Sequence, residues 1–553
     1  MVLLIALALV PLGFVAWQAA VLMRNIPMWD EFETVLQFLV QYRAADSWVE
    51  VWQPFFTMSN EHCMVTSRAI VVLLYELTGQ ANFIHLAIIG DLFIVGVVVL
   101  FALQQSTRRE RWVALALASL LLFHLQHHEN FFSSYASIDH FLVVLLTTAT
   151  LALVLRGGLG ALVLAGLFAT MAVFTLAQGL AVLASAALLL VVQSRWRQLG
   201  GWLLFSVALT VAFGWKLSGA SMTSASALTF AGLKKTAGYA LTLLGGVPAI
   251  GNADLALVLG CVLLAALAWL CWRRRWRQEP FLMAMVVTAV LSAGLIAYGR
   301  ARAAADVSPL SSRYMVQSAV AWSAVLMLVL KSAGSPAVFI RRGWAVLALA
   351  VMVNVLCSLR FETPARAFVQ RRIDASRYYD LTQTMVGDVS RIFPDGKRAD
   401  AILSAAARDG IFFLRPRKAE EVAMDVPLKE QRMAYYLDRI AVGPQSVHVK
   451  GWMFADAHRS DDFVPHVMLK TDKHTYFFRG RRESRPDVVT ATQRTEALES
   501  GFYFVIPKKA LPADEFKVSL VLKNGGGALY SNTDHRLLIQ NLGETVTAAS
   551  SER

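Results

Sequence analysis

The sequence has few charged residues and few cysteines for its length. Only 16% of its 553 residues are Asp, Glu, Lys or Arg, whereas about a quarter are charged in a typical soluble domain. The four cysteines are Cys63, Cys261, Cys271 and Cys357, so the last third of the chain has none. The low charge excludes an ordinary soluble globular protein, and the cysteine distribution excludes a disulfide framework in the C-terminal region.

Hydrophobic residues are abundant instead, and they occur in long runs. They make up 56% of the chain, and the mean hydropathy is +0.51. Runs that can cross roughly 30 Å of hydrocarbon recur up to residue 359 and predict about eleven transmembrane helices. The predicted spans are 1–23, 82–104, 112–125, 140–155, 159–177, 179–193, 200–217, 253–272, 280–298, 314–330 and 343–359. Segments 66–78 and 231–248 are predicted as additional short or interfacial helices. The chain is therefore predicted to be a polytopic α-helical membrane protein.

Basic residues fall in alternate loops of this layout. They are Arg108, Arg109 and Arg111; Arg156; Arg195 and Arg197; Arg273, Arg274, Arg275 and Arg277; and Lys331, Arg341 and Arg342. Because Lys and Arg concentrate in cytoplasmic loops, the layout predicts a cytoplasmic N-terminus and an external C-terminal region. The net charge of +13 is dispersed along the chain, so nucleic acid is not an expected partner.

The sequence changes character after the last apolar run. Residues 360–428 are charged and helix-like, and we predict an extracytoplasmic helical linker region there. Residues 429–545 contain short alternating runs such as SVHVKGWMF and FKVSLVLKNGG, separated by turn residues. Such runs predict an antiparallel β-sandwich. The predicted fold is a transmembrane bundle over 1–359, an external α+β region that ends in the sandwich, and a disordered tail over 546–553.

Three carboxylates fall within four residues directly after the first span, in the stretch PMWDEFET. Asp30 and Glu33 have the spacing of a capping box, which would start a surface helix without any chemistry. That interpretation leaves Glu31 unexplained. A positioned carboxylate can also act as a general base. The two interpretations are compatible, and Asp30 and Glu31 are the catalytic candidates.

Two further polar clusters fall on the same predicted outer side. Asn60, Glu61 and His62 group side chains that can act as acid, base or metal ligand; a solvated turn is the alternative. Arginines on the outer side oppose the positive-inside trend, and guanidinium groups bind phosphate bidentately; a lipid anchor or a partner for the outer acids is the alternative. These arginines are Arg300, Arg302 and Arg313. Further ligands for a metal site with His62 would be His127, His128 and Glu129.

In combination, these features resemble the GT-C class of integral-membrane glycosyltransferases. The resemblance lies in an acidic Asp30-Glu31 motif after the first span, a long first outer loop, a multi-span bundle and an external C-terminal domain. The Asn60-Glu61-His62 element and the Gly299-Arg300…Ser312-Arg313-Tyr314 pattern are similar to those of bacterial members of the class.

The resemblance implies a lipid-dependent transfer of a sugar. The donor would be a polyprenyl-phosphate sugar, and the acceptor an envelope polysaccharide of the O-antigen kind or a glycolipid, with inversion at the anomeric carbon. Asp30 would be the general base and Glu31 its reserve. Asn60, Glu61 and His62 would lie at or behind the acceptor, and Arg300, Arg302, Arg313 and Tyr314 would bind the donor phosphate. No cofactor is implied with certainty, and a divalent metal stays open. The implied location is a bacterial inner membrane with the C-terminal domain in the periplasm.

Two other functions compete with a transferase. A transporter or flippase for a lipid-linked sugar should place ionisable groups near the membrane midplane and show repeated halves, whereas here the acids gather at one interface and the halves do not match. A non-catalytic assembly factor would bind glycan through its outer domain. That domain carries Gly451-Trp452, Arg485-Pro486-Asp487-Val488 and Gly501-Phe502 in order, which resembles small sandwich modules appended to bacterial glycosyltransferases. Such a module either binds glycan or forms a structural lid.

Overall fold

The computed structural model describes most of the chain in two compact units. Described are residues 1–59, 62–217, 229–302, 307–332, 335–382, 384–414, 420–442, 446–456 and 458–539. The helical unit comprises Met1–Arg372 and Arg391–Phe413, and the sandwich unit comprises Ile373–Ser390 and Leu414–Arg553. The predicted linker region, 360–428, is thus divided between the two units.

Within the described residues, eight helices are long and apolar enough to cross a membrane. They are Val2–Leu22, Phe83–Leu103, Ser134–Arg156, Trp196–Trp215, Ala253–Trp272, Pro280–Arg300, Ser312–Lys331 and Pro336–Tyr379. These helices are consistent with the multi-pass helical membrane protein that the apolar runs predict. Ser312–Lys331 and Ser134–Arg156 form the centre of the bundle, since 78% and 72% of their apolar windows are buried, against 28% for Val2–Leu22.

Three predicted spans are shorter helices in the structure. Arg108–Leu122 and Leu159–Val173 have 15 residues each, and the apolar helix Ala177–Val192 is also below full spanning length. Fifteen residues rise only about 22 Å, which is less than the roughly 30 Å of a hydrocarbon core. These three helices are therefore not among the eight that are long enough to cross a membrane.

Shorter helices connect the long ones. The expected short helices are present as Val65–Thr78 and Phe230–Leu244. Other short segments are Phe32–Gln37, Phe38–Arg43, Trp48–Trp52, Pro54–Phe56, Leu125–His127, His128–Phe132, Arg275–Gln278 and Gly396–Arg408. Phe32–Gln37 packs by its apolar side into the helical unit, where the rings of Phe32 and Phe393 lie 5.0 Å apart.

Two β-sheets form the sandwich unit. One has the order Ala434–Val442, Ser446–Phe454, Gly501–Pro507, Arg481–Glu483. The other has the order Glu420–Glu421, Thr475–Arg479, Val464–Lys470, Asp514–Asn524, Gly527–Ile539, Leu428–Glu430. All described pairings are antiparallel except that of Leu428–Glu430 with Gly527–Ile539. Alternating apolar residues of both sheets fill one core, which is why the two sheets pack face to face.

The sequence motifs of the sandwich have structural explanations. Gly451 lies opposite Phe502 in the antiparallel register, and a Cβ at this glycine would come within 2.9 Å of the Phe502 ring and 2.2 Å of a backbone carbonyl. Phe502 is fully buried, so it is a core residue. The Arg485 guanidinium joins Asp487 at 2.7 Å and Asp438 at 2.6 Å. These two ion pairs join the start of the short helix that contains Asp487 to the strand Ala434–Val442, which contains Asp438.

Candidate active site

The residue directly before the three acids has a strained backbone conformation. Trp29 has a φ of 52°, a left-handed conformation that a bulky residue rarely adopts. Its N–H donates to the carbonyl oxygen of Ile392 at 2.6 Å, and its ring meets the Phe368 ring edge-on at 5.6 Å. Surrounding contacts therefore hold the strained turn that leads into Asp30.

Glu31 is a fully buried residue whose carboxylate connects separate parts of the chain. Its side chain has no exposed surface. One carboxylate oxygen accepts from the hydroxyls of Ser133 and Ser134, both at 2.8 Å. The other accepts from the Met28 N–H at 2.8 Å and lies 3.3 Å from the Arg372 guanidinium. With both oxygens engaged by the protein, Glu31 joins three parts of the chain, and it does not line the cleft described below.

The predicted capping box is wrong. The segment Phe32–Gln37 is a π-helix that starts without any side-chain cap, and the Glu33 carboxylate binds Arg398 at 2.8 Å. The acid that reaches back to an upstream N–H is Glu31, through its bond to Met28. Because Glu31 already bonds the Met28 N–H, the start of this helix needs no cap from Asp30. The Glu33 carboxylate instead pairs with Arg398, which lies in the helix Gly396–Arg408.

A cleft in the helical unit collects the predicted site residues. Its empty space, including the open mouth and the solvent there, is about 560 Å³. Five predicted residues line it, together with residues that the motifs did not single out. The lining includes Asp30, His62, Arg300, Arg313 and Tyr314, then Tyr135, His140, Leu176, Ala177, Gln178, Leu295 and Ile296.

Two guanidinium groups approach the same aromatic ring in the cleft. Arg300 and Arg313 each lie 5.7 Å from the centre of the Tyr314 ring. Arg313 is also 5.9 Å from the Trp29 ring and has its Nε 3.8 Å from a Glu129 carboxylate oxygen. Two nearby cations in a partly enclosed site favour an anion with several oxygens, and a phosphate has this form.

The Asp30 carboxylate faces these arginines in a partly buried position. Burial raises the pKa of Asp30 above its ordinary value of 3.8, and the positive charges of Arg313 and Arg300 offset part of that rise. The nearby Glu33 carboxylate raises the pKa further. A carboxylate with a raised pKa is a stronger base than a free one, as proton abstraction from a hydroxyl requires.

His62 enters the cleft from a two-stranded hairpin. The strands Met58–Ser59 and His62–Cys63 pair antiparallel, and His62 Nδ1 accepts from the Ala177 N–H at 3.2 Å. This bond fixes the ring and leaves Nε2 as the protonated nitrogen of the neutral form. Asn60 and Glu61 lie outside the described residues, as does the side chain of Arg302 at the end of its helix.

The histidines next to Glu129 do not assemble with His62 into a metal site. The His127 ring packs 4.6 Å from that of His124, and the His128 ring lies 5.9 Å from that of Phe368. His128 Nδ1 bonds the Leu125 carbonyl oxygen at 3.1 Å. Across the described ranges, no three His, Cys, Asp or Glu side chains are grouped to hold a metal ion.

His140 and Gln178 are among the cleft residues that the motifs missed. His140 lies in a second π-helical segment, Ser137–Phe141. Gly90 permits this segment to pack closely, because a Cβ there would lie 2.2 Å from the Ser137 hydroxyl. An Asp-His pair within an apolar run, Asp139-His140, was the available signal, since ionisable residues in a span often mark a site. π-helical turns frequently occur at functional sites.

Comparison with known proteins gives no match. No family model, curated protein or solved structure is similar to this chain at a significant level. The geometry and charge of the cleft are therefore the basis for a functional proposal.

Proposed function

We propose that this chain is a membrane glycosyltransferase of the GT-C class. It would transfer a sugar from a polyprenyl-phosphate donor to an extracytoplasmic acceptor, an envelope polysaccharide or a glycolipid. The observation that carries the proposal is the shared cleft of a carboxylate with a raised pKa, Asp30, and two arginines, Arg300 and Arg313.

The reaction requires a base for the acceptor and a counter-charge for the leaving group. The Asp30 carboxylate accepts the proton of an acceptor hydroxyl as its oxygen attacks the anomeric carbon. The bond from that carbon to the phosphate oxygen breaks, and the electron pair leaves with the lipid phosphate. Arg300 and Arg313 stabilise the negative charge that develops there. Attack from the face opposite the phosphate inverts the anomeric configuration.

The proposed arrangement in the membrane has eleven crossings and an external C-terminal unit. Basic residues in alternate loops support a cytoplasmic N-terminus. The proposed setting is a bacterial inner membrane, with the cleft at the periplasmic side, where a polyprenyl phosphate and an envelope acceptor meet. His62 and Tyr314 would contact the acceptor and the donor phosphate respectively, as the motif resemblance implies.

Replacement of Asp30 tests the chemistry directly. In the purified full-length protein supplied with polyprenyl-phosphate sugars and envelope acceptors, Asp30→Asn is expected to lower transfer about 10²–10⁴-fold. Because burial raises the folded-state pKa of Asp30, stability falls as the pH rises from 3.8 through that raised value. Asp30→Asn is therefore expected to raise the apparent melting temperature at pH 7 while it lowers activity.

The matched control is Glu50→Gln, an exposed acid whose carboxylate accepts from the Asp46 N–H at 2.9 Å. Its transfer rate should stay within about twofold of wild type, because Glu50 does not line the cleft. Mass spectrometry of envelope glycolipids from cells with each variant provides the second readout. Full transfer by Asp30→Asn would contradict the proposal, and loss of lipid translocation with normal transfer would indicate a flippase instead.

A further inference from the structure

A glutamine in the cleft has no part in the proposed proton transfer or phosphate binding. Gln178 lies in the one-turn helix Ala177–Leu180, at the junction of two apolar helices. Its side chain is 4% exposed, and it lines the cleft. Among the described residues, neither its Oε1 nor its Nε2 has a hydrogen-bond partner. A buried amide without partners is costly, which points to a ligand that supplies them.

The backbone around Gln178 is held in place from both sides. The preceding residue, Ala177, donates its N–H to His62 Nδ1 at 3.2 Å. The following residue, Gly179, packs so closely that a Cβ there would lie 2.3 Å from the Ala172 carbonyl oxygen. The amide is thus presented from a fixed turn, as a recognition group requires.

A second polar atom without a partner lies in the same cleft. The His140 side chain is 6% exposed, and its Nδ1 has no hydrogen-bond partner in the described part of the chain. The His140 ring lies edge-on at 5.7 Å to the ring of Tyr314, the residue approached by both arginines. The cleft therefore combines a cationic group of residues with uncharged hydrogen-bonding groups.

We propose that Gln178 recognises the hydroxyl groups of a neutral sugar ring, with His140 Nδ1 as a second contact. This inference rests on the proposed function, in which Arg300 and Arg313 hold the phosphate of the same donor. A glutamine amide offers two N–H donors and one carbonyl acceptor, and adjacent hydroxyls can both accept and donate. The lining of the same cleft also includes Leu176, Leu295 and Ile296.

The chemistry favours an uncharged sugar ring at this place. In the proposed donor complex the phosphate occupies Arg300 and Arg313, so a sugar carboxylate or ammonium beside Gln178 would be removed from water next to a neutral amide and apolar side chains without a counter-charge of its own. The expected substrate class is therefore a polyprenyl-phosphate hexose or pentose with an uncharged ring.

Binding to the full-length protein in detergent tests the inference. The probes are bare polyprenyl phosphate, its glucose, mannose, galactose and arabinose conjugates, and its glucuronate conjugate. We expect wild type to bind at least one neutral conjugate about tenfold or more tightly than the bare lipid phosphate, since buried groups that pair with a substrate hydroxyl discriminate strongly. Gln178→Leu should lose that preference and bind the bare lipid phosphate within about twofold of wild type.

The control is Gln105→Leu, which removes a buried amide whose Nε2 donates to the Phe101 carbonyl oxygen outside the cleft. It should keep the sugar preference. Equal weakening of bare lipid and conjugates in Gln178→Leu would overturn the inference and leave the proposed function standing. Tightest binding of the glucuronate conjugate would also overturn it. If wild type binds none of these lipids, the proposed function fails and the inference fails with it.

Discussion

Adjacent acids in this chain have different environments, which is why we propose different roles for them. Asp30 lines a cleft beside two arginines, and burial raises its pKa. Glu31 is fully buried and has both carboxylate oxygens engaged by Ser133, Ser134 and Arg372. A base must be able to reach an acceptor, so the geometry favours Asp30 as the base and Glu31 as the group that holds the turn.

The pH dependence of transfer should report the charge environment of Asp30. The base works only when deprotonated, so kcat/KM should fall as the pH is lowered, with a midpoint above the ordinary value of 3.8. Arg313 lowers the pKa of Asp30. Arg313→Gln should therefore raise that pKa and move the acid limb of the pH profile to higher pH, besides weakening donor binding.

The control for this shift is Arg398→Gln, because Arg398 binds Glu33 and does not line the cleft. Its acid limb should coincide with that of wild type. An acid limb that stays in place in Arg313→Gln would show that the titrating base is a group other than Asp30. The measurement is kcat/KM against pH for wild type and both variants, with one donor and one acceptor.

At the scale of elements, two π-helical segments contribute to the cleft. Phe32–Gln37 follows Asp30, and Ser137–Phe141 contains His140. Neither could be predicted from local sequence, because a π-turn depends on tertiary contacts such as the close approach of Gly90 to Ser137. Sandwich strands were predictable, since alternating apolar residues of both sheets build one core.

Part of the site could also be predicted from the sequence, whereas contacts between residues far apart in the chain could not. Polar clusters and off-trend arginines on the predicted outer side marked Asp30, His62, Arg300 and Arg313 as candidates, and all four line the cleft. No pattern near residue 31 indicates that its partner is Arg372, which is more than three hundred residues away. Contacts of that kind are set by the packing of the bundle.

The ion pair between Glu31 and Arg372 should be important for stability. Both side chains are at most 2% exposed, and removal of one partner from a buried pair costs about 3–5 kcal/mol because the other charge is left uncompensated. Arg372→Met is therefore expected to lower the apparent melting temperature of the detergent-solubilised protein strongly. The double variant Arg372→Met/Glu31→Gln should recover part of that loss.

The neighbouring Arg371 provides a matched control. It is exposed, and its guanidinium lies 5.6 Å from the Trp29 ring. Arg371→Met should cost about 1 kcal/mol or less, the size of an exposed cation–π contact. Equal losses of stability in the two single variants would contradict the buried-pair interpretation.

At the scale of the whole molecule, residues from distant parts of the chain line one cleft. This limits how many times the chain can cross the membrane between them. His62 and Tyr135 line one cleft, and the segments between them include Phe83–Leu103 and Arg108–Leu122. Between His140 and Gln178 the chain runs through the rest of Ser134–Arg156 and through Leu159–Val173. A chain that leaves one side of a membrane and returns must cross an even number of times. With Val65–Thr78 counted as interfacial, as predicted, an even number requires Arg108–Leu122 and Leu159–Val173 to cross, as in the eleven-crossing proposal.

Reporter fusions test this count. With eleven crossings from a cytoplasmic N-terminus, a reporter active only in the periplasm should be active after Arg553 and after Gly251, and silent after Arg197 and after Arg277. If Arg108–Leu122 did not cross, His62 and Tyr135 would lie on opposite sides of the membrane, and if Leu159–Val173 did not cross, His140 and Gln178 would do so, although all four line one cleft. A silent fusion after Arg553 with the expected results at Gly251, Arg197 and Arg277 would place the error among the last helices. Activity after Arg197 with the cleft residues on one side would show that Ala177–Val192 does not cross, and it would overturn the count of eleven crossings.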